Sequence, residues 1–438
     1  MMSRATALVL AIPFALAAQQ SPVATADGAR AISLDEAVRL AQHNAPATVQ
    51  ARNALRTTAA AVRSAYGQYI PTLQVSGSGN KAGGETFFQG KLVPYSGAPW
   101  SYSRGLSTNL ELFDGGRRWF NLKAAEANVD AADASEISQR YNVALQVKQQ
   151  YFAVLAARES QSASQRQLEQ AAEQLKSSTA KVRAGAATKS DSLRSAIQVG
   201  NARLALLTAD NNLRGANASL SRLVGTAEVV TARPADTAAM GRIVLDSAAL
   251  TEMALAGPTV KQAQAALLAA QSATKAAKSP YLPSISTSYS LSGNNTSENF
   301  DFGSGRIPKQ TSLRLSLSYT LFNGFTREEN LVRSNVTEDN ATAALRDAKL
   351  AQQQSLVQYL GAFRTAEQRV AIQQASIDAA EEDLRVQQQR YNLGSSTMLD
   401  VLTSQTTLDQ ARAALIQARY DARIAKAQVE ALVGRDLK

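Results

Sequence analysis

The chain contains no cysteine, which excludes a disulfide, a zinc–thiolate site, a thiol nucleophile and an acyl-thioether anchor. One histidine, His43, stands among 438 residues. That leaves almost no room for a Ser-His-Asp triad or a multi-histidine metal site, and a lone imidazole reads as structural. Aromatic residues are scarce at 6% and charged residues reach only 19%. Past the N-terminus no 18-residue apolar stretch occurs, so no transmembrane helix is expected. What remains is rich in Ala, Gln, Ser and Leu, and 45% of residues are hydrophobic. Such a composition excludes a disordered chain and suits long, closely packed helices.

The formal net charge is +10, but the basic residues are scattered and none of their runs interleaves with aromatics. They read as a solvated helical surface, and no nucleic-acid partner is expected. Arg4 followed by the apolar run Ala5 to Ala18 has the form of an export signal. It is assigned residues 1–26, with cleavage after a small-x-small site between 17 and 26.

The rest is one unit written twice. Tyr69-Ile70-Pro71 returns as Tyr281-Leu282-Pro283, and Leu112-Phe113-Asp114-Gly115 returns as Leu321-Phe322-Asn323-Gly324. Gly185 returns as Gly394, and Leu223-Val224-Gly225 as Leu432-Val433-Gly434. The expected organisation is a first repeat over 27–225, a connector over 226–246 and a second repeat over 247–438. Each repeat reads as helix, strand, strand, long helix, helix. In the first, Ser33 and Glu36 form a capping box for a helix running to about Ile70. A second helix runs unbroken from Gly116 to about Ala184, roughly 100 Å at 1.5 Å per residue. Gly185 stops it, and a third spans about Thr188 to Leu223. The second repeat gives Ser247 to Ser279, Phe325 to Leu393 and Thr397 to Val433.

The final helices carry heptad seams: Val199, Ala202, Leu206, Ala209, Leu213 in one, and Leu408, Ala411, Leu415, Ala418, Ala422 in the other. A helix of about 100 Å needs neighbours along its whole length. The strands add a second demand. Leu313, Leu315, Leu317, Tyr319 and Leu321 alternate with Ser, Arg and Thr, and Ile285, Thr287, Tyr289 and Leu291 alternate with serines. Leu106, Thr108, Leu110 and Leu112 repeat the pattern. About 9–11 alternating residues is the length of a tilted transmembrane strand, so Leu313, Leu315, Leu317 and Tyr319 are expected to face lipid. Four strands cannot close a barrel. Two chains supply eight and three supply twelve, and a water channel favours three.

Tyr391-Asn392-Leu393-Gly394, Asp400-Val401-Leu402, Ala418-Arg419-Tyr420 and the closing Leu432-Val433-Gly434 together resemble the TolC-type outer membrane efflux proteins. So do the Tyr-x-Pro strand entry and the Leu-Phe-Asp-Gly-Gly junction, in order through both repeats. The resemblance implies a mostly α fold with a transmembrane β-barrel: a homotrimer with four strands per chain in a twelve-stranded barrel, continued by coiled-coil helices as an α-barrel across the periplasm. It implies a passive outer-membrane conduit, not an enzyme, without cofactor or metal. Its partners would be outer membrane lipid, a periplasmic adaptor and an inner-membrane pump of RND or ABC type, in efflux or type I secretion.

Residue by residue, the resemblance places Asp400 and Thr403 at a pore constriction. Three copies of Asp400 around a narrow mouth would raise one another's pKa. It implies a tip lock from Tyr391 to Asp191, with Ser396 and Ser190 where a second, cationic link would stand. Gly185, Ala186, Gly394 and Ser395 are the implied adaptor-contacting tips. Helix capping is the competing reading of Asp191 and Asp400. Two other readings compete for the whole chain. One is an exported trimeric coiled-coil scaffold without a pore. The other is an enzyme with a phosphate loop at Gly185 and Thr188-Lys189-Ser190, which lacks the glycine before the lysine.

Overall fold

The structure is a computed structural model that describes residues 29–81, 83–94, 100–233, 247–298, 308–435 and 437. The export signal and most of the 226–246 connector lie outside the described residues. The first repeat runs β1 (Arg30–Ile32), α1 (Leu34–Asn44), α2 (Pro46–Gly67), β2 (Thr72–Lys81), β3 (Glu85–Phe88), β4 (Lys91–Pro94), β5 (Trp100–Phe113), α3 (Arg117–Arg183) and α4 (Lys189–Val224). After β6 (Val230–Ala232) the second repeat runs α5 (Ser247–Leu255), α6 (Pro258–Ala277), β7 (Ser284–Ser297), β8 (Gln310–Ser318), α7 (Thr326–Asn392) and α8 (Met398–Val433). The long helices agree in length, α3 and α7 having 67 residues each and α4 and α8 having 36 each.

The described residues fall into two compact units. One draws on the described residues within 1–41, 147–238 and 383–416, the other on those within 42–146, 239–382 and 417–438. In the first, β1 and β6 form a parallel ladder that the sequence did not suggest. The buried Tyr151 hydroxyl staples it, donating to the Ile32 carbonyl at 3.1 Å and accepting from the Arg233 N–H at 3.1 Å. Ala202, Ala209 and Leu220 bury one seam of α4. Met398, Val401, Leu408 and Leu415 bury one of α8. In the second unit α8 continues that seam, with Val429 and Val433 packed on Leu250, Ala254 and Leu356. Ala422 and Ala425 pack on Phe363 and Ala366.

The opening helix of each repeat differs from expectation, being split in two. Pro46 and Pro258 each stand at the first position of the second piece, behind Ala45 and Gly257 in extended backbone. Proline lacks an N–H and forbids helical geometry in the residue before it, so the first piece must end. Ser33 does cap α1, its hydroxyl accepting from the Glu36 N–H at 3.2 Å.

The second unit holds an antiparallel sheet in the order β2-β5-β7-β8. β3 and β4 pair as a hairpin within what reads as a loop. The expected strand Leu313 to Leu321 stops at Ser318, which pairs with Ser284. Pro283 precedes Ser284 and has no N–H to extend the ladder, so Tyr319 lies just beyond β8 and not in it. A bulge between Glu111 and Phe113 puts Phe113 opposite Ile285 and takes Leu112 out of the alternation.

Each strand-to-helix junction is clasped by an arginine. Asp114 accepts from the Gly116 N–H at 3.1 Å and from the Arg118 N–H and Nε at 2.9 and 3.2 Å. The Arg118 guanidinium also donates to the Gln68 and Leu112 carbonyls and lies 4.9 Å from the centre of the Tyr69 ring. In the second repeat Arg327 stands 4.1 Å from the Tyr281 ring centre and donates to the Thr320 carbonyl. Gly115 has φ 67, and a side chain there would strike the Ser279 carbonyl. Only glycine fits at that crossing.

Candidate functional site

Two helical hairpins form the candidate tip: α3 into α4 through Gly185, and α7 into α8 through Gly394. Both glycines are left-handed, with φ 73 and 75. The residue after each closes a Schellman turn. Ala186 N–H donates to the Lys181 carbonyl at 2.8 Å, and Ser395 N–H to the Arg390 carbonyl at 2.9 Å. The four expected tip residues Gly185, Ala186, Gly394 and Ser395 are thus the two turn apices.

The helices leaving the turns start alike. The Thr188 hydroxyl accepts from the Asp191 N–H at 3.3 Å while the Asp191 carboxylate accepts from the Thr188 N–H at 3.1 Å. Thr397 and Asp400 repeat this capping box at 3.3 and 2.8 Å. Asp400 accepts further bonds from the Thr397 hydroxyl at 2.7 Å and the Ser396 hydroxyl at 3.0 Å. The Thr397 N–H above all, then these hydroxyls, hold its carboxyl below the usual range. Within one chain these hydrogen bonds act to lower the Asp400 pKa; the mutual raising expected of three carboxylates belongs to an assembly. Thr403 is exposed, its hydroxyl donating back to the Leu399 carbonyl at 2.9 Å.

Within one chain Tyr391 and Asp191 interact through charge. Burial, and then the charge of Asp191, raise the Tyr391 pKa. No hydrogen bond joins the two among the described residues, since the Asp191 carboxylate serves the cap of its own helix. The Ser396 hydroxyl lies 3.0 Å from an Asp400 carboxylate oxygen and 3.2 Å from Gln387 Oε1, and no hydrogen bond joins it to Ser190 among the described residues. A cation does stand beside Tyr391. Lys181, in the last turn of α3, places Nζ 4.5 Å from the centre of the Tyr391 ring and donates to Asn392 Oδ1 at 3.0 Å. Polar rungs continue away from the tip: Thr179 with Ser192, Gln167 donating to Asp409 at 2.8 Å, and Gln170 with Gln405. Burial outweighs the bond from Gln405 and raises the Asp409 pKa. The phosphate-loop reading meets the Asp191 carboxylate, which already accepts from the N–H that an anion would need.

The second candidate surface is the sheet. Cross-strand register aligns Val75, Leu106 and Leu291 in one row and Leu73, Thr108, Tyr289 and Leu313 in the next. Leu110, Thr287 and Leu315, then Phe113, Ile285 and Leu317, complete the face. Serines fill the other face, where Ser78 and Ser103 approach to 2.7 Å and Ser290 and Ser312 to 2.8 Å. Leu313, Leu315 and Leu317 are 77%, 71% and 71% exposed, and Tyr319 beyond them is also exposed.

Lys181, Arg118 and Arg327 were missed from sequence. The two arginines were within reach, because they stand at one position of the repeat, three residues after Gly115 and Gly324. Lys181 has no such marker.

The family model described as outer membrane efflux protein matches residues 37–226 and 250–435. Among curated relatives, the pyoverdine export outer membrane protein OpmQ of Pseudomonas aeruginosa is 26% identical over 340 residues, 76% of this chain and 69% of that one. The outer membrane efflux protein BepC of Brucella suis is 25% identical over 399 residues, 91% and 84% of the two chains. A crystal structure of CusC superposes with a TM-score of 0.79 at 18% identity, covering 94% of this chain and 96% of that one.

Proposed function

The chain belongs to the outer membrane efflux protein family, and from that premise we propose how its parts work. The family makes it an outer-membrane channel component of an efflux or secretion system. In our reading three copies assemble, each contributing β2, β5, β7 and β8 to a twelve-stranded barrel with serines toward water and the leucine face toward lipid. The long helices continue the passage on the periplasmic side. There the turns at Gly185 and Gly394 meet an adaptor, and an inner-membrane pump of RND or ABC type supplies the energy.

The observation that carries this reading is the sheet itself. Its apolar face is exposed, and among the described residues its outer strands β2 and β8 each pair on one side. An open four-stranded sheet with an uncovered aliphatic face is unstable in water, whereas a closed barrel in lipid leaves neither edge nor face unsatisfied. A scaffold without a pore has no use for such a face.

The tip hairpins act as the gate, a packed arrangement that untwists to open. Lys181 on Tyr391 and Asn392 holds it shut, with Asp400 at the first turn of α8 beside the mouth. Single-particle imaging of protein extracted from outer membranes in mild detergent tests the whole reading. A three-fold tube well over 100 Å long, the reach of one long helix, with one short detergent-coated end, is the expected result. A compact particle absent from the membrane fraction would overturn it.

A further inference from the structure

The apolar face of the sheet ends against a row of different chemistry. Arg104 on β5 pairs with Gly77 on β2 and Gly293 on β7, two residues along each strand from Val75, Leu106 and Leu291. Strand alternation therefore puts Arg104 on the aliphatic face. Its two neighbours in the row have no side chains, and a recess of about 500 Å³ opens beside it, lined also by Lys309. Aromatics follow. Tyr102 and Trp100, the next residues on that face, stack with centroids 6.4 Å apart, and Lys81 Nζ lies 5.9 Å from the Trp100 ring centre.

Read along one face, the order is aliphatic side chains, a glycine-floored recess with two cations, then aromatic rings. A lipid presents the complementary order of acyl chain, phosphate and hydrated headgroup. The guanidinium fork matches phosphate oxygens in pairs, and an ammonium adds a point charge. We propose that this recess binds the phosphate of an anionic outer-membrane lipid, held by Arg104 and Lys309, with its acyl chain along Val75, Leu106 and Leu291. The proposal rests on the reading of the aliphatic face as lipid-facing.

Native mass spectrometry of the detergent-solubilised assembly, titrated with phosphatidylglycerol or phosphatidylcholine, tests it. Phosphatidylglycerol is expected to bind about tenfold or more tightly, the scale of two basic residues near an anionic lipid. Arg104→Ser with Lys309→Ser should erase that preference. Arg314→Ser, on the serine face of β8, should leave it intact. A preference that survives the double substitution, or falls equally with Arg314→Ser, overturns the proposal. So does displacement of the lipid by millimolar inorganic phosphate, which would make the recess a site for soluble anions. The underlying reading is checked separately in a Trp119→Phe background, where Trp100 is the remaining tryptophan. Brominated phosphatidylcholine should quench Trp100 in both the parent and the double variant. Absence of quenching in both would remove the lipid-facing premise itself.

Discussion

Lys181 gives the tip a clasp with two grips on one ammonium: the Tyr391 ring at 4.5 Å and Asn392 Oδ1 at 3.0 Å. A cation–π contact near the surface contributes about 0.5–1 kcal/mol, and a hydrogen bond from a charged group about 1.5–3 kcal/mol. Lys181→Ala is therefore expected to raise single-channel conductance in planar bilayers, with Lys181→Arg restoring part of the closure. Unchanged conductance in the alanine variant would show that the clasp does not hold the gate. Asp400 carries a pH dependence with a defined sign. Its folded pKa is lowered, chiefly by the Thr397 N–H and the Thr397 and Ser396 hydroxyls, with Arg390 adding a favourable charge. The cap is thus fully present above the ordinary carboxylate value and is lost as pH falls through the lower folded one. Amide exchange across residues 397–403 should accelerate over that acid range, and Asp400→Asn should show fast exchange at neutral pH as well. If exchange does not respond to pH, the carboxylate is not holding the turn. The Thr-x-x-Asp pattern made these caps legible from sequence, and they account for Asp191 and Asp400 with no appeal to a pore. Lys181 was not legible. Its partner lies 211 positions away, and only the packing register of two long helices brings them together.

Elements were read more fully than single contacts, and the failures share a cause. Glycine and proline punctuation together with helical composition located α3, α4, α7 and α8 nearly to the residue, because nothing interrupts them. The helix breaks fall at Pro46 and Pro258, where each ring restricts the residue before it, an effect that helical composition does not register. β1 and β6, of three residues each, are too short to show alternation, and a long-range parallel pairing leaves no local trace. The bulge at Leu112 is invisible to a period-two pattern, because it changes the period. Where the alternation is undisturbed, in β8, a strong expectation follows. Leu315→Arg or Leu317→Arg places a cation on the face assigned to lipid, at a cost of about 2–4 kcal/mol near the bilayer midplane. Outer-membrane yield should collapse, while Ser316→Arg on the opposite face should be tolerated. Normal yield of the leucine variants would mean that β8 does not meet lipid.

At the scale of the whole molecule, the proposed trimer asks for a neighbour, and α4 offers it a surface. Ala202, Ala209 and Leu220 bury one seam of that helix, while Leu193, Ile197, Leu204 and Leu207 remain 57%, 64%, 65% and 59% exposed. Their spacing of four, seven and three is again a heptad pattern, so they form a second apolar stripe on the same helix. α7 presents a comparable stripe at Val332, Val336, Leu350 and Val357. An exposed stripe of this length in water favours association, and burying a single leucine contributes about 1.5–3 kcal/mol. In the proposed trimer the occupant is a second copy of the chain. Leu204→Glu with Leu207→Glu would remove two such burials per chain and set carboxylates into the seam. The expected result is loss of the trimer on native gels and in light scattering, with far-ultraviolet circular dichroism unchanged because the Ala202 and Ala209 seam is intact. A trimer that persists would exonerate this stripe and move the subunit contact to the α7 stripe, where Leu350→Glu with Val357→Glu makes the same demand. Persistence with all four substitutions combined would remove both stripes from the subunit contact and leave the sheet edges to carry it.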